Sequence, residues 1–230
     1  MPLIEHTFNN ANTLNSEFAS EIVAKLKAAI ATNGRASIAV SGGSTPKPLF
    51  QILSKDETLD WSKVTVLLVD ERWVDDSSDA SNQTLVKQNL LQWAASQANY
   101  VSIKTNAENA VDAVNEINQR LSSVLPIDII ILGMGADGHT ASLFPCSKEL
   151  AEGLDLSNNN AVIATQPTTA PHQRMSLTLA SIISANSIYL HITGDEKRAV
   201  LTDALKNATP MEKPILAVAE NADLHLMWAP

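Results

Sequence analysis

Cysteine is nearly missing from this chain. Cys146 stands alone among 230 residues, which excludes an intrachain disulfide and a cysteine-based zinc cluster and suits a reducing compartment. Basic side chains are also scarce, 16 against 25 acidic, for a formal net charge of −9 at pH 7. That balance argues against non-specific nucleic-acid binding, and any anionic ligand must find a local positive pocket that opposes the field of the whole molecule. No segment approaches the roughly 18 uninterrupted apolar residues of a membrane span. The N-terminus, Met1-Pro2-Leu3-Ile4-Glu5-His6, carries neither a basic region nor a long apolar stretch. Internal repeats and low-complexity tracts are missing too, and no helix-turn-helix extension precedes Ser41. These absences predict a cytoplasmic protein with neither a membrane nor a nucleic-acid partner. With 45% hydrophobic residues, the chain can fill one core, and a single domain over residues 1–230 is expected.

What the chain does have is alternation. Leu14, Phe18, Ile22, Leu26 and Ile30 recur at helical spacing, and Gly34 offers a stop before a buried-strand run, Ala36 to Val40. Further strand runs are expected at Val64 to Val69, Ile127 to Leu132, Met175 to Leu179 and Ser187 to Thr193, with apolar-periodic segments between most of them. Strands separated by helices predict an α/β fold with a mostly parallel sheet covered on both faces, because parallel neighbours need long crossovers. Asp75 to Asn82 and Asp155 to Asn160 read as exposed excursions.

Chemistry-bearing residues gather where these strands end. Ser41-Gly42-Gly43-Ser44-Thr45-Pro46 follows the first buried run; its glycines let backbone N–H groups approach a ligand, and its hydroxyls add donors. Thr45 is placed to cap the next helix and Pro46 to begin it. A phosphate suits such a cradle, although a tight turn with an ordinary cap would be written with the same residues. Asp70-Glu71-Arg72 puts three charges at the end of another buried run, which requires pairing or a polar cleft. Arg72 can hold an oxyanion; a structural ion-pair cluster is the other reading.

The run Ile127 to Leu132 ends in Gly133-Met134-Gly135-Ala136-Asp137-Gly138-His139. Its glycine spacing matches a dinucleotide fingerprint, but the next strand, Ala161 to Thr165, runs into Gln166-Pro167 and offers no carboxylate for a ribose. His139, with Asp137 beside it at a strand end, suits a general base instead. Arg174 and Lys197 border later strands; each alone would be surface charge, while both together with the cradle would neutralise a phosphate dianion.

These five motifs, in this order, resemble the 6-phosphogluconolactonase family, relatives of the glucosamine-6-phosphate deaminases, across nearly the whole chain. The resemblance implies a Rossmann-like three-layer sandwich that binds no dinucleotide. It further implies hydrolysis of 6-phospho-D-glucono-1,5-lactone in the oxidative pentose phosphate pathway, with a small phosphorylated sugar lactone as partner and no metal or organic cofactor. It places phosphate binding on Gly42, Gly43, Ser44, Thr45, Arg174 and Lys197, further substrate contacts on Asp70 and Gly135, and catalysis on His139, Asp137 and Arg72. Whether Asp137 orients His139 or binds sugar hydroxyls stays open, and so does the choice of monomer or homodimer. Ser81-Asn82 is a further pair shared with the family, without an assigned role. Asp75 departs from the proline common there. The deaminases usually carry Asn-Glu-Pro where this chain has Leu143-Phe144-Pro145 and lack the equivalent of Arg72, which favours the lactonase. A sugar-phosphate sensor and a nicotinamide-dependent dehydrogenase are the remaining rivals.

Overall fold

The computed structural model describes residues 3–230; Met1 and Pro2, on which part of the N-terminal reading rests, lie outside the described residues. In chain order the elements are β1 (Ile4–Thr7), α1 (Ala11–Asn33), β2 (Ala36–Val40), α2 (Lys47–Leu53), β3 (Val64–Leu68), β4 (Asp70–Arg72), α3 (Asn82–Asn89), β5 (Asn99–Val101) and α4 (Val114–Leu121). There follow β6 (Ile129–Leu132), α5 (Leu150–Leu154), β7 (Val162–Thr165), β8 (Arg174–Leu177), α6 (Leu179–Ile183), β9 (Ser187–Thr193), α7 (Asp195–Asn207), α8 (Ile215–Asn221) and β10 (Leu224–Ala229). Short 3₁₀ turns connect several of them.

Seven strands form one sheet in the order β1-β10-β9-β6-β2-β3-β5, and every pairing in it is parallel. Each residue of β2 and β6 is buried, which requires cover on both faces and explains why these runs, Ser37 apart, are apolar instead of alternating. α1 supplies part of that cover, laying Leu14, Phe18, Ile22 and Leu26 against the core. It stops where the sequence says it should: Gly34 has φ 74° and donates its N–H to the Ile30 carbonyl, a conformation that costs glycine little.

The strand order makes the site. Chain direction across the sheet reverses between β2 and β6, since β2 continues to β3 on one side while β6 continues to β9 on the other. At such a switch point the connections diverge and leave a crevice beyond the carboxyl ends of the strands. Here the crevice is stitched at its base: Ser41 N–H donates to Ile131 O at 3.0 Å, and Gly133 N–H to Ser41 Oγ at 3.1 Å.

Three expectations need correcting. The run Met175 to Leu179 is not in the parallel sheet: β8 spans Arg174–Leu177 and lies between β4 and β7 in a second, antiparallel sheet. Its apolar pattern reports burial, and burial does not specify the neighbour. Thr45 does not cap α2; the cap position is Pro46, with no side-chain hydrogen bond, because a turn through Thr45 and Pro46 delays the helix. The excursion from Asp75 also ends early, as Ser81 and Asn82 are buried and begin α3.

Candidate active site

β4 shows how charge is sorted at the edge of the crevice. Alternation sends Asp70 and Arg72 to one face and Glu71 to the other. Glu71 is buried against the start of α3, where its carboxylate accepts from the N–H groups of Asn82 (2.8 Å) and Gln83 (2.6 Å) and from the Ser81 hydroxyl (3.1 Å). Burial raises its pKa despite those donors. Glu71 therefore satisfies the helix terminus and takes no part in the cavity.

On the opposite face, Arg72 pairs directly with Arg174 across the antiparallel β4–β8 ladder. Like charges at such a position repel, and the arrangement stores positive potential at the mouth of the crevice. Asp70 offsets part of it, 4.0 Å from Arg174 Nη1, and accepts from the Ser142 hydroxyl at 2.6 Å. The Arg174 guanidinium is pulled below its ordinary pKa by burial, with Asp70 opposing that shift. The Nε atoms of both arginines are buried and have no hydrogen-bond partner among the described residues.

The cavity between these strand ends measures about 330 Å³. Of the residues expected at the site, Gly42, Gly43, Ser44, Thr45, Asp70, Arg72, Gly135, His139, Arg174 and Lys197 all line it; Asp137 does not. Asp137 stands behind the histidine, its Oδ1 2.6 Å from His139 Nδ1 and 3.2 Å from the His139 backbone N–H. Burial raises the Asp137 pKa, but its contacts with His139 outweigh this and the net shift is downward. An ionised Asp137 can only accept, so Nδ1–H is the donor and Nε2 is the ring nitrogen that Asp137 leaves unengaged.

Glycine is needed at two of these positions. A Cβ at Gly135 would lie 2.2 Å from His139 Cε1 and Nδ1, and one at Gly42 would lie 1.9 Å from Asn82 Oδ1. Lys197, in the first turn of α7, donates to the Met134 carbonyl, which holds its ammonium at the mouth of the crevice with further donor capacity. Among the described residues, no group of three or more His, Cys, Asp or Glu side chains is placed to hold a metal ion.

Four residues carry more than the sequence suggested. Asn82 lines the cavity and donates from Nδ2 to the Asp70 carbonyl, tying α3 to β4; the pair Ser81-Asn82 was visible without its role. Ser142 joins the loop after His139 to Asp70, Phe144 stacks on His139, and His191 lines the cavity from inside β9. No spacing rule marks Ser142 or His191, because what they meet comes from distant segments, while Phe144 lies within the same loop as His139.

A glycine-and-hydroxyl cradle, three cations and a carboxylate-backed imidazole thus meet in one crevice at the switch point of the parallel sheet of an α/β protein. The chain belongs to the family described as glucosamine-6-phosphate isomerases/6-phosphogluconolactonase, whose pattern matches residues 9–228. It is 44% identical over 228 residues to a 6-phosphogluconolactonase of Rhizobium meliloti (strain 1021), covering 98% of each chain. It is 41% identical to one from Pseudomonas putida, covering 98% of this chain and 92% of the other. The crystal structure of a 6-phosphogluconolactonase from Shewanella baltica OS155 superposes with a TM-score of 0.96 at 39% identity, over 100% of this chain and 98% of that one.

Proposed function

We propose that this chain hydrolyses 6-phospho-D-glucono-1,5-lactone to 6-phospho-D-gluconate, the lactone-opening step of the oxidative pentose phosphate pathway, as one domain over residues 1–230 acting in the cytoplasm as a monomer or homodimer. One observation carries the reading of the site: His139, held by Asp137, opens onto the same cavity as the Gly42–Thr45 cradle, Arg72, Arg174 and Lys197.

The phosphate sits at the cradle, where no hydrogen bond among the described residues engages the Ser44 or Thr45 hydroxyl, with Arg174 and Lys197 balancing its charge. α2 has only seven residues, so backbone N–H groups and hydroxyls contribute more here than a helix dipole. Anchoring the phosphate leaves the lactone carbonyl beside His139. Nε2 takes a proton from a water as its oxygen bonds to C1, and Arg72 stabilises the oxyanion that forms. The carbonyl then re-forms, the bond from C1 to the ring oxygen breaks, and that oxygen takes the proton from Nε2. Asp137 stays ionised and keeps the imidazole in one tautomer. The base contributes about 10²- to 10⁴-fold, and fixing the phosphate lowers the entropic part of the barrier.

His139→Ala tests this directly. The expected variant folds, binds 6-phosphogluconate as the parent does, and loses about 10²- to 10⁴-fold in turnover; a folded variant with near-parental turnover refutes the assignment of the base.

A further inference from the structure

We propose that Phe144 is a positioning residue that sets the plane of the His139 imidazole and couples it to Arg174, a role that rests on the lactone-hydrolase reading and deepens it. The Asp137 hydrogen bond and the Cβ–Cγ bond hold two points on the ring's edge, and the groups packed on its faces fix its tilt; Phe144 covers one of those faces. Its ring lies face to face with His139, centroids 3.9 Å apart and planes 21° from parallel. An aliphatic side chain has no flat face with which to impose that plane.

The same ring meets the cation expected to grip the phosphate. The Arg174 guanidinium carbon is 5.2 Å from the Phe144 centroid, within cation–π range. One buried side chain, 3% exposed, thus touches both the group that activates water and a group that anchors the substrate. Its contacts set the distance between them.

Phe144 is itself held rigidly by the turn that delivers it. Ala141 adopts φ 48°, a left-handed conformation rare for a residue with a Cβ. The turn is fastened from three sides: Thr140 Oγ1 donates to Gly133 O, Ser142 Oγ donates to Asp70, and Thr165 Oγ1 donates to Ser142 O. The Ser142 N–H adds a fourth bond, to Ser176 Oγ at 3.1 Å. Strained backbone held by several buried hydrogen bonds fits a requirement for placement, since an apolar residue needed only to fill space could sit on a relaxed turn.

The test compares the parent with Phe144→Leu and Phe144→Met, which keep an apolar side chain of similar bulk, and with Phe144→Tyr, which keeps the flat face. Three readouts are taken on each: turnover and KM with freshly made lactone, thermal unfolding, and the NMR shift of the His139 Cε1 proton, which reports the ring above it. Leu and Met are expected to lower kcat about 10- to 100-fold with little change in KM, and to move the His139 resonance out of the aromatic shielding. Tyr restores both. Equal kcat in Leu and parent, or equal loss in Leu and Tyr at matched unfolding temperature, overturns the proposal. A parent that fails to accelerate lactone opening sinks the functional reading instead; an unshifted His139 resonance in the Leu variant then sinks the positioning claim independently.

Discussion

At the residue scale, the site works by giving neighbouring groups opposed tasks. Asp70 and Glu71 are adjacent, yet one faces Arg174 and Ser142 in the cavity while the other is consumed by the first turn of α3. The triplet Asp70-Glu71-Arg72 was legible as a cluster needing a cleft or partners; both answers hold, split by the pleat of a three-residue strand. Asp137 is the residue whose role the sequence left open, and its 2.6 Å contact with His139 Nδ1 supports orientation over sugar binding. Asp137→Asn is therefore expected to lower turnover by about 10²-fold, within the limit set by the base it serves, with KM nearly unchanged. A KM rise at constant kcat would assign it to sugar hydroxyls. The same residue carries a stability signature. Its folded pKa is depressed, chiefly by His139 working against burial, so its contribution is present above the ordinary carboxylate range and is lost as pH falls through the lower folded value. Asp137→Asn removes that acid-range loss, which unfolding curves across pH will show.

At the scale of elements, the sequence revealed strands and helices better than it revealed their neighbours. β2, β6 and β9 are mostly apolar runs in the parallel sheet, and Gly34 marks the end of α1. β8, Arg174-Met175-Ser176-Leu177, is equally buried but pairs antiparallel with β4 and β7, because burial leaves partner choice to long-range packing. The cradle after β2 was legible from its glycines, whereas the reason for Gly42 was not: it lies against Asn82, far along the chain at the start of α3. With a Cβ 1.9 Å from Asn82 Oδ1, Gly42→Ala must displace the Asn82 carboxamide, which lines the cavity and bonds the Asp70 carbonyl. Raised KM for the phosphorylated lactone, weaker binding of inorganic phosphate and a lower unfolding temperature are the expected results. An unchanged KM would detach the cradle from phosphate binding.

For the molecule as a whole, an acidic chain of net charge −9 concentrates Arg72, Arg174 and Lys197 at one crevice, which reconciles the composition with an anionic substrate. His191 carries a stability signature of its own. It lies in the core with its ring centroid 5.5 Å from that of Phe18, and neither ring nitrogen has a partner among the described residues. Burial pushes its pKa down to about 4. An unfolded histidine protonates near its ordinary value of about 6.5. Between these values the unfolded state binds more protons, so stability is lost as pH falls through the window, by about 3 kcal/mol in total. His191→Leu is expected to flatten that limb of the stability curve, and a parental acid limb in the variant contradicts the assignment. The most direct measurement for the molecule follows freshly generated 6-phospho-D-glucono-1,5-lactone by NMR with and without the protein, against glucosamine 6-phosphate assayed for ammonia release. Lactone opening that scales with protein concentration above the spontaneous rate, with no ammonia, is the expected result. Ammonia release with lactone opening left at its spontaneous rate would contradict it.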